Sequence, residues 1–217
     1  SDEVHTVISI TGAIDGTIVY YDHWEDGFEL DLANPAQATT EIWGDDGVAN
    51  GAPPGCVVDA CDTFGAGDNA ALINDVFANP RDPVDIFYDG GDQIGTTGPV
   101  AVTRAGWAID PGTLLAGAVE VYPTDAWGTA YVLPMGIDSA LDQNIEYTAA
   151  SIMASSTGTT VTVDVDADTI VDQTLNLGAG ESALVPDLVQ GATINANGPI
   201  QVDLLTGDTG ATYAGRW

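Results

Sequence analysis

The stretch GTIVYYDHWEDG, residues 16–27, recurs as GTTVTVDVDADT at residues 158–169. In each copy an alternating run rich in β-branched residues leads into a cluster of carboxylates. The residues that coincide are Gly16, Thr17, Val19, Asp22 and Asp26 with Gly158, Thr159, Val161, Asp164 and Asp168. Such alternation predicts a half-buried β-strand, and the acidic residues predict a turn after it. The chain thus uses the same strand and acidic turn twice.

Two further pairs of segments continue the repeat in the same order. GAGDNAAL at 65–72 matches GAGESAL at 178–184, and QIGTTGPVAV at 93–102 matches TINANGPIQV at 193–202. The register between the copies is 142 residues at the first pair of segments, 113 at the second and 100 at the third. The fall from 142 to 100 means that the first copy carries 42 additional residues. The sequence therefore predicts two internally duplicated modules, of which the first is elaborated.

The distribution of turn residues predicts the fold class. Short β-prone runs alternate with Gly, Pro, Asn and Asp along the chain, which is typical of an all-β sandwich with antiparallel strands and little helix. The one helix-like stretch, 68–79, is predicted to be a strand, because its counterpart in the second copy contains Pro186. Another strand is predicted over VDIFY at 84–88. The predicted domains are a first module at 1–107, connecting strands at 108–145 and a second module at 146–217.

The charge of the chain is extreme. It has 33 acidic residues against three arginines and no lysine, which gives a formal net charge of −30 at pH 7. Such a surface repels itself at low salt, and either bound divalent cations or molar salt relieves the repulsion. The composition is that of a halophilic protein. It excludes nucleic acid as a partner, and no apolar run is long enough for membrane insertion.

Two features of the sequence indicate export. The first residue is Ser1 rather than Met, as expected after removal of a leader. Cys56 and Cys61 lie in one short segment with no second cysteine pair and no histidine nearby, so a small disulfide ring is favoured over a zinc site. We therefore expect an extracellular protein at the cell surface.

The segment DVDADTIVD in the second copy has the spacing of a calcium-binding loop. Its carboxylates are Asp164, Asp166, Asp168 and Asp172. Alternate residues of a tight loop turn inward, so these oxygens are placed to wrap a Ca²⁺ ion. The loop is no EF-hand, because Thr169 replaces the expected Gly and Leu175 the expected Glu. The alternative is a solvated acidic hairpin without an ion.

The first copy offers a less regular version of the same chemistry. Asp22, Glu25 and Asp26 follow the corresponding strand, and they are predicted as a second calcium site. His23 stands among them, so a general base or metal ligand of a carbohydrate-active enzyme is an alternative interpretation. We favour a packed strand-end histidine, because the residue that matches His23 in the second copy is Val165.

Four segments in the second half carry a resemblance to a known family. They are WGTAYVLP, YTAASIMASSTGTTVTV, TLNLGAGESALV and INANGPIQVDLLTGD. These segments resemble the IgGFc-binding-protein N-terminal-like domain of large bacterial cell-surface proteins, over roughly residues 97–217. The resemblance implies an extracellular β-sandwich used for adhesion or as a scaffold, with no shared catalytic residues. Because the chain lacks the cysteine-rich framework of the mammalian member, immunoglobulin binding does not follow.

The sequence thus predicts a non-enzymatic, calcium-stabilised structural or adhesive component. It would serve as a module of a large surface protein, or as a subunit of a surface filament or layer, with self-association or neighbouring modules as partners. A glycan-binding module using exposed tryptophans is the first alternative, and an enzyme around His23 is the second. The first strand, VHTVISI at 4–10, either completes its own sheet or is donated to the next subunit.

Overall fold

The computed structural model describes residues 3–45, 62–77, 84–108, 116–139 and 146–207. Half of the described residues are β-strand and 2% are helix, so the fold is all-β, as predicted. Within the described residues, no helix has the length and apolar character needed to cross a bilayer. The described residues form two compact units, and the chain passes from unit 1 to unit 2 between Val121 and Tyr122. This boundary falls inside the segment 108–145 that was predicted to connect the modules.

Unit 1 consists of two antiparallel sheets. The strands are β1 (Glu3–Gly12), β2 (Val19–Asp22), β3 (Glu41–Trp43), β4 (Asn69–Phe77), β5 (Gln93–Thr96), β6 (Val100–Ala108) and β7 (Ala116–Glu120). One sheet has the order β4-β1-β6-β7 and the other the order β3-β2-β5. Alternate residues of β1, including Ile8 and Ile10, pack inward against Val19 and Tyr21 of β2. Burial of these alternating apolar side chains is the main stabilising contribution to a sandwich of this kind.

Unit 2 has a more continuous arrangement. It begins with a 3-10 turn at Thr124–Ala126. The strands are β8 (Gly128–Val132), β9 (Tyr147–Ala154), β10 (Thr159–Asp164), β11 (Gln173–Leu177), β12 (Ser182–Pro186) and β13 (Thr193–Gly207). The order is β11-β10-β13-β9-β12, with β8 also paired to β13. The start of β13 pairs with β10 and β8, and its later part, from Ile200 onward, pairs with β9. This single long strand therefore takes part in both faces of the unit, around a core that contains Ile152, Val163 and Ile194.

The two units pair their strands in the same registers. The equivalent pairs are Ile10–Val102 and Ile152–Val202, Ile10–Ala70 and Ile152–Ala183, and Val19–Thr96 and Val161–Ala196. Equivalent residues of the two units differ in number by 142, 113 or 100. These are the offsets of the three matching sequence segments. A common origin by duplication stays a prediction, and these registers support it.

Turns in the two units also share their hydrogen bonds. The hydroxyl of Thr17 donates to the Ile14 carbonyl at 2.9 Å, and that of Thr159 donates to the Ser156 carbonyl at 2.7 Å. Both threonines are buried, Thr159 as the first residue of β10 and Thr17 two residues before β2. A hydroxyl that satisfies a carbonyl of the preceding turn fixes the direction in which the strand leaves it. The repeated Gly-Thr dipeptide therefore has a local structural reason.

Three sequence-based expectations meet a definite outcome in unit 1. The strand prediction at 68–79 is confirmed by β4, although its propensity is helical. The first strand belongs to its own sheet, because β1 lies between β4 and β6 and pairs with both. The strand prediction at 84–88 is wrong, since this segment is a loop. Its backbone bonds to side chains instead of to a neighbouring strand, as Phe87 shows below.

Cys56 and Cys61, which are predicted to form a disulfide, lie outside the described residues. The pairing stays a prediction.

Candidate functional site

Each unit buries one aspartate at the end of an equivalent strand. Asp22 ends β2 with 0% exposure, and Asp164 ends β10 with 6% exposure. The carboxylate of Asp164 accepts backbone N–H groups from Asp168 at 3.2 Å and Thr169 at 2.9 Å. That of Asp22 accepts the backbone N–H of Glu29 at 2.8 Å and the Thr40 hydroxyl at 2.9 Å. These buried carboxylates hold the loop that follows each strand.

In unit 2 the loop after Asp164 gathers three carboxylates. Asp164, Asp166 and Asp172 each offer one oxygen, and these oxygens all lie within 4.8 Å of one another. Asp168 is not part of this group, and its Oδ1 accepts the N–H of Ile170 at 2.8 Å. Positive φ angles at Ala167 (59°) and Thr169 (77°) bend the backbone around the cluster.

This arrangement has the chemistry of a calcium loop. Asp172 binds the N–H of Val165 with one oxygen, Oδ2, at 2.7 Å. A carboxylate offers about four lone-pair positions, so such a bond leaves room for a cation. All-oxygen donor sets favour Ca²⁺ or Mg²⁺ over transition metals. The structure thus brings three of the four predicted ligands together and leaves the fourth, Asp168, outside the group.

The predicted ligands of the first copy are not brought together in the same way. The oxygens of Asp22 accept the two hydrogen bonds described above, and burial raises the pKa of this carboxyl group. Asp26 accepts the Thr39 hydroxyl at 2.6 Å. Glu25 points instead toward His23 and Asp92, with which it forms a second group of donor atoms within 4.8 Å of one another. We call His23, Glu25 and Asp92 the histidine cluster.

The histidine cluster lies in the interior of unit 1. The side chains of His23 and Asp92 are 3% and 2% exposed. Nδ1 of His23 is 3.0 Å from the carbonyl oxygen of Phe87 and 3.6 Å from Oδ2 of Asp92. Nε2 is 3.6 Å from Oε1 of Glu41. The loop 84–92, which was predicted to contain a strand, therefore supplies one wall of the cluster.

A layer of aromatic side chains holds these carboxylates in place. The Tyr21 hydroxyl donates to Oδ2 of Asp92 at 2.6 Å, and the Tyr88 hydroxyl donates to Oε1 of Glu41 at 2.8 Å. Nε1 of Trp43 donates to Oε2 of Glu41 at 3.1 Å. The rings of Tyr21 and Tyr88 also flank the imidazole, with centroids 5.0 Å and 5.1 Å away. These hydrogen bonds fix the orientation of Asp92 and Glu41 beside His23.

The electrostatics of the cluster argue against a general base. Burial lowers the pKa of His23, but Asp92 and Glu41 outweigh it and raise this pKa to about 10. The imidazole of the metal-free chain is therefore protonated at neutral pH, and it is enclosed rather than open to a substrate. Burial and the neighbouring Asp92 raise the pKa of Tyr21 as well. His23 thus lies buried directly after β2 among ionic and aromatic partners, and it is not placed to act as a general base.

Sequence reasoning missed Asp92, Glu41 and Tyr88, because they lie far from His23 in the chain. The repeat contained a usable indication. The positions that match Tyr21, His23 and Asp92 in unit 2 are Val163, Val165 and Ala192. Polar residues in the first copy thus align with apolar residues in the second. Such a difference indicates that the interior of unit 1 contains polar groups that unit 2 lacks.

The two tryptophans of unit 1 whose side chains are described, Trp24 and Trp43, give little support to a sugar-binding face. Trp43 is fully buried in the core. Trp24 is half-buried, and its Nε1 donates to Asp89 at 3.3 Å. A carbohydrate platform requires exposed indole faces, and these two rings do not provide one.

Comparison with known proteins finds one similarity, in the second half of the chain. Residues 117–214 match the family model described as IgGFc binding protein. The match includes β8 to β13, which are all the described strands of unit 2. The family is a binding domain and is not known to be enzymatic. No curated protein and no solved structure matches. Residues 117–214, a little under half of the chain, are therefore similar to the IgGFc-binding-protein family.

Proposed function

We propose that this protein is a non-enzymatic, extracellular binding or adhesive component, used as a module of a larger surface protein or as a subunit of a surface filament or layer. The match of residues 117–214 to a binding family carries the proposal. Because the match includes every described strand of unit 2, the resemblance concerns a whole folded unit rather than a short motif. Domains of this family are typically secreted or extracellular.

The partner is proposed to be a protein, either a second copy of this chain or a neighbouring surface module. The family description supports a protein partner in general terms. It does not extend to immunoglobulin, because this chain lacks the cysteine-rich framework of the mammalian member and carries a net charge of −30. Two such surfaces repel each other unless cations are bound between them or salt screens them.

Calcium is proposed to stabilise the module through the loop of Asp164, Asp166 and Asp172. The mutual approach of their oxygens to within 4.8 Å supports this site. Two of the three side chains are exposed, so an ion has access from solvent. The site lies within the region that matches the family, at the end of β10. Calcium bound there would neutralise carboxylates that otherwise repel one another across the loop.

Sedimentation velocity of the purified chain tests the proposed assembly. We expect larger species when CaCl₂ is added in moderate salt, and their loss when a chelator is added. MgCl₂ at the same ionic strength controls for general screening, because Mg²⁺ fits flexible carboxylate loops poorly. The variant Asp166→Ala should assemble less than the wild type at the same calcium concentration. A monomer under every condition would contradict self-association as the mode of binding.

A further inference from the structure

The histidine cluster has the donor geometry of a metal site in a unit that the family match barely covers. A ring nitrogen of His23 and one oxygen each of Glu25 and Asp92 lie within 4.8 Å of one another. Ligands at about 2.0–2.2 Å from a Zn²⁺ ion are separated by at most about 4.4 Å. Small side-chain shifts therefore suffice to place all three atoms on one ion.

One atom of the cluster requires a partner that the protein does not supply. Oε2 of Glu25 is buried and has no hydrogen-bond partner among the described residues. The other oxygen, Oε1, accepts the N–H of Phe87 at 3.4 Å. A buried carboxylate oxygen without a partner costs more than 1 kcal/mol, and a cation is the partner that a carboxylate favours most. This orphaned oxygen is independent of the His23 contacts and points to a missing ligand.

The balance of charge in the interior also requires a cation. Three carboxylates, of Glu25, Glu41 and Asp92, surround one imidazole. Buried charges that lack a counter-charge are strongly destabilising. A divalent cation among these carboxyl groups would offset their mutual repulsion.

The two nitrogens of His23 face different acceptor oxygens. Nδ1 faces Asp92 and the Phe87 carbonyl, while Nε2 faces Glu41 at 3.6 Å. Metal-binding histidines usually direct the nitrogen that does not bind the ion toward a carboxylate, which fixes the ring and its tautomer. Glu41 is itself held by Tyr88 and Trp43. An ion at Nδ1 takes the place of the proton on that nitrogen.

The second unit shows that the sandwich does not require this cluster for folding. At the positions of His23 and Asp92 it has Val165 and Ala192, with Ala192 fully buried. Unit 1 therefore carries a polar set where the equivalent fold is stabilised by apolar packing. We propose that unit 1 binds a transition-metal ion of the Zn²⁺ class through His23, Glu25 and Asp92. The mixed nitrogen and carboxylate donor set favours Zn²⁺ over Ca²⁺.

The test is metal binding by the full chain after treatment with a chelator, in molar NaCl to suppress weak binding to surface carboxylates. Titration with ZnCl₂ in a calorimeter should give one saturable site, and Co²⁺ should give visible absorption bands of a low-symmetry site. Glu25→Gln, which keeps the size of the side chain, should weaken Zn²⁺ binding by about 100-fold or more, since it removes a ligand rather than an outer-shell partner. His23→Val with Asp92→Ala, the residues of unit 2, should abolish it.

Two controls make the result decisive. His5→Ala removes the only other histidine, which pairs with Asp75 at the surface, and it should leave the affinity unchanged. Asp166→Ala, in the calcium loop of unit 2, should also leave Zn²⁺ binding unchanged, which separates this site from the proposed calcium site. Circular dichroism identifies any variant that fails to fold, and Glu25→Gln then decides alone. The proposal is overturned by absence of a saturable Zn²⁺ site in the wild type, or by equal affinity in Glu25→Gln.

Discussion

The Asp164 carboxylate holds the loop after β10 by hydrogen bonds, whether or not an ion is bound. In the presence of a chelator, Asp164→Ala leaves the N–H groups of Asp168 and Thr169 without their acceptor. We expect a loss of about 3 kcal/mol in the free energy of unfolding, since hydrogen bonds to charged groups contribute about 1.5–3 kcal/mol each. Urea unfolding measures this. Asp166→Ala, at an exposed position of the same loop, should cost less than about 1 kcal/mol, and equal losses would contradict the assignment.

Glycines with positive φ in unit 1 differ in how much space surrounds them. A Cβ at Gly44 (φ +89°) would collide with the carbonyl oxygen of Thr17, whereas nothing lies within 4 Å of one at Gly16 (φ +74°). Gly16→Ala should therefore cost only the backbone strain, about 1–2 kcal/mol. Gly44→Ala should cost at least about 2 kcal/mol more, because backbone has to move. Similar unfolding midpoints for the two variants would show that the approach of Gly44 to Thr17 is not required.

Residues close in sequence were predictable, and residues joined only by the fold were not. The acidic turn after β10 follows from the spacing of Asp164, Asp166 and Asp172, and the structure places these three together. Asp92 and Glu41 meet His23 only because β2 lies between β3 and β5. A single sequence does not give that strand order, so the histidine cluster appeared only with the structure.

Among the strands of unit 1, β1 is an inner strand of the four-stranded sheet, and we expect the stability of the unit to depend on it. It pairs with β4 on one side and β6 on the other, and its inward residue Ile10 is fully buried. Ile10→Ala should lower the free energy of unfolding by about 2–5 kcal/mol. Ile73→Ala on β4, where the side chain is 68% exposed, is the matched control and should cost much less. Equal effects in thermal unfolding would contradict the position of β1 in the core.

Deletion of residues 1–11 separates the two roles that the sequence left open for the first strand. Because β1 lies inside its sheet, the deletion should unfold unit 1, with loss of the near-ultraviolet dichroism of Tyr21 and Trp43. A strand donated between subunits would give a folded product that no longer assembles. That second outcome would contradict the pairing of β1 with β4 and β6.

The strands show where local pattern and tertiary context disagree. Propensity favours a helix over 68–79, yet β4 forms there, because pairing with β1 and an inward Leu72 outweigh weak helical preferences. VDIFY at 84–88 has a strand-like composition, but the Phe87 backbone bonds to His23 and Glu25. The repeat corrected the first case. It gave no help in the second, because this loop belongs to the additional residues of the first copy.

At the scale of the whole molecule, a net charge of −30 should govern stability. With a chelator present, the melting temperature should rise steeply between low and molar NaCl, because the Debye length falls to about 3 Å at 1 M and repulsion between carboxylates is screened. An uncharged osmolyte at matched osmolality controls for general effects on burial. A melting temperature that does not change with NaCl would contradict the halophilic interpretation.

Thermal unfolding with calcium tests most directly whether this chain is the calcium-stabilised binding module that we propose. At a calcium concentration a hundredfold above the dissociation constant, the native state should gain about 2.7 kcal/mol relative to the chelated protein. The gain should persist in molar NaCl, where general screening is already complete, and Asp166→Ala should abolish most of it. Superimposable melting curves of the wild type with calcium and with chelator would contradict the claim.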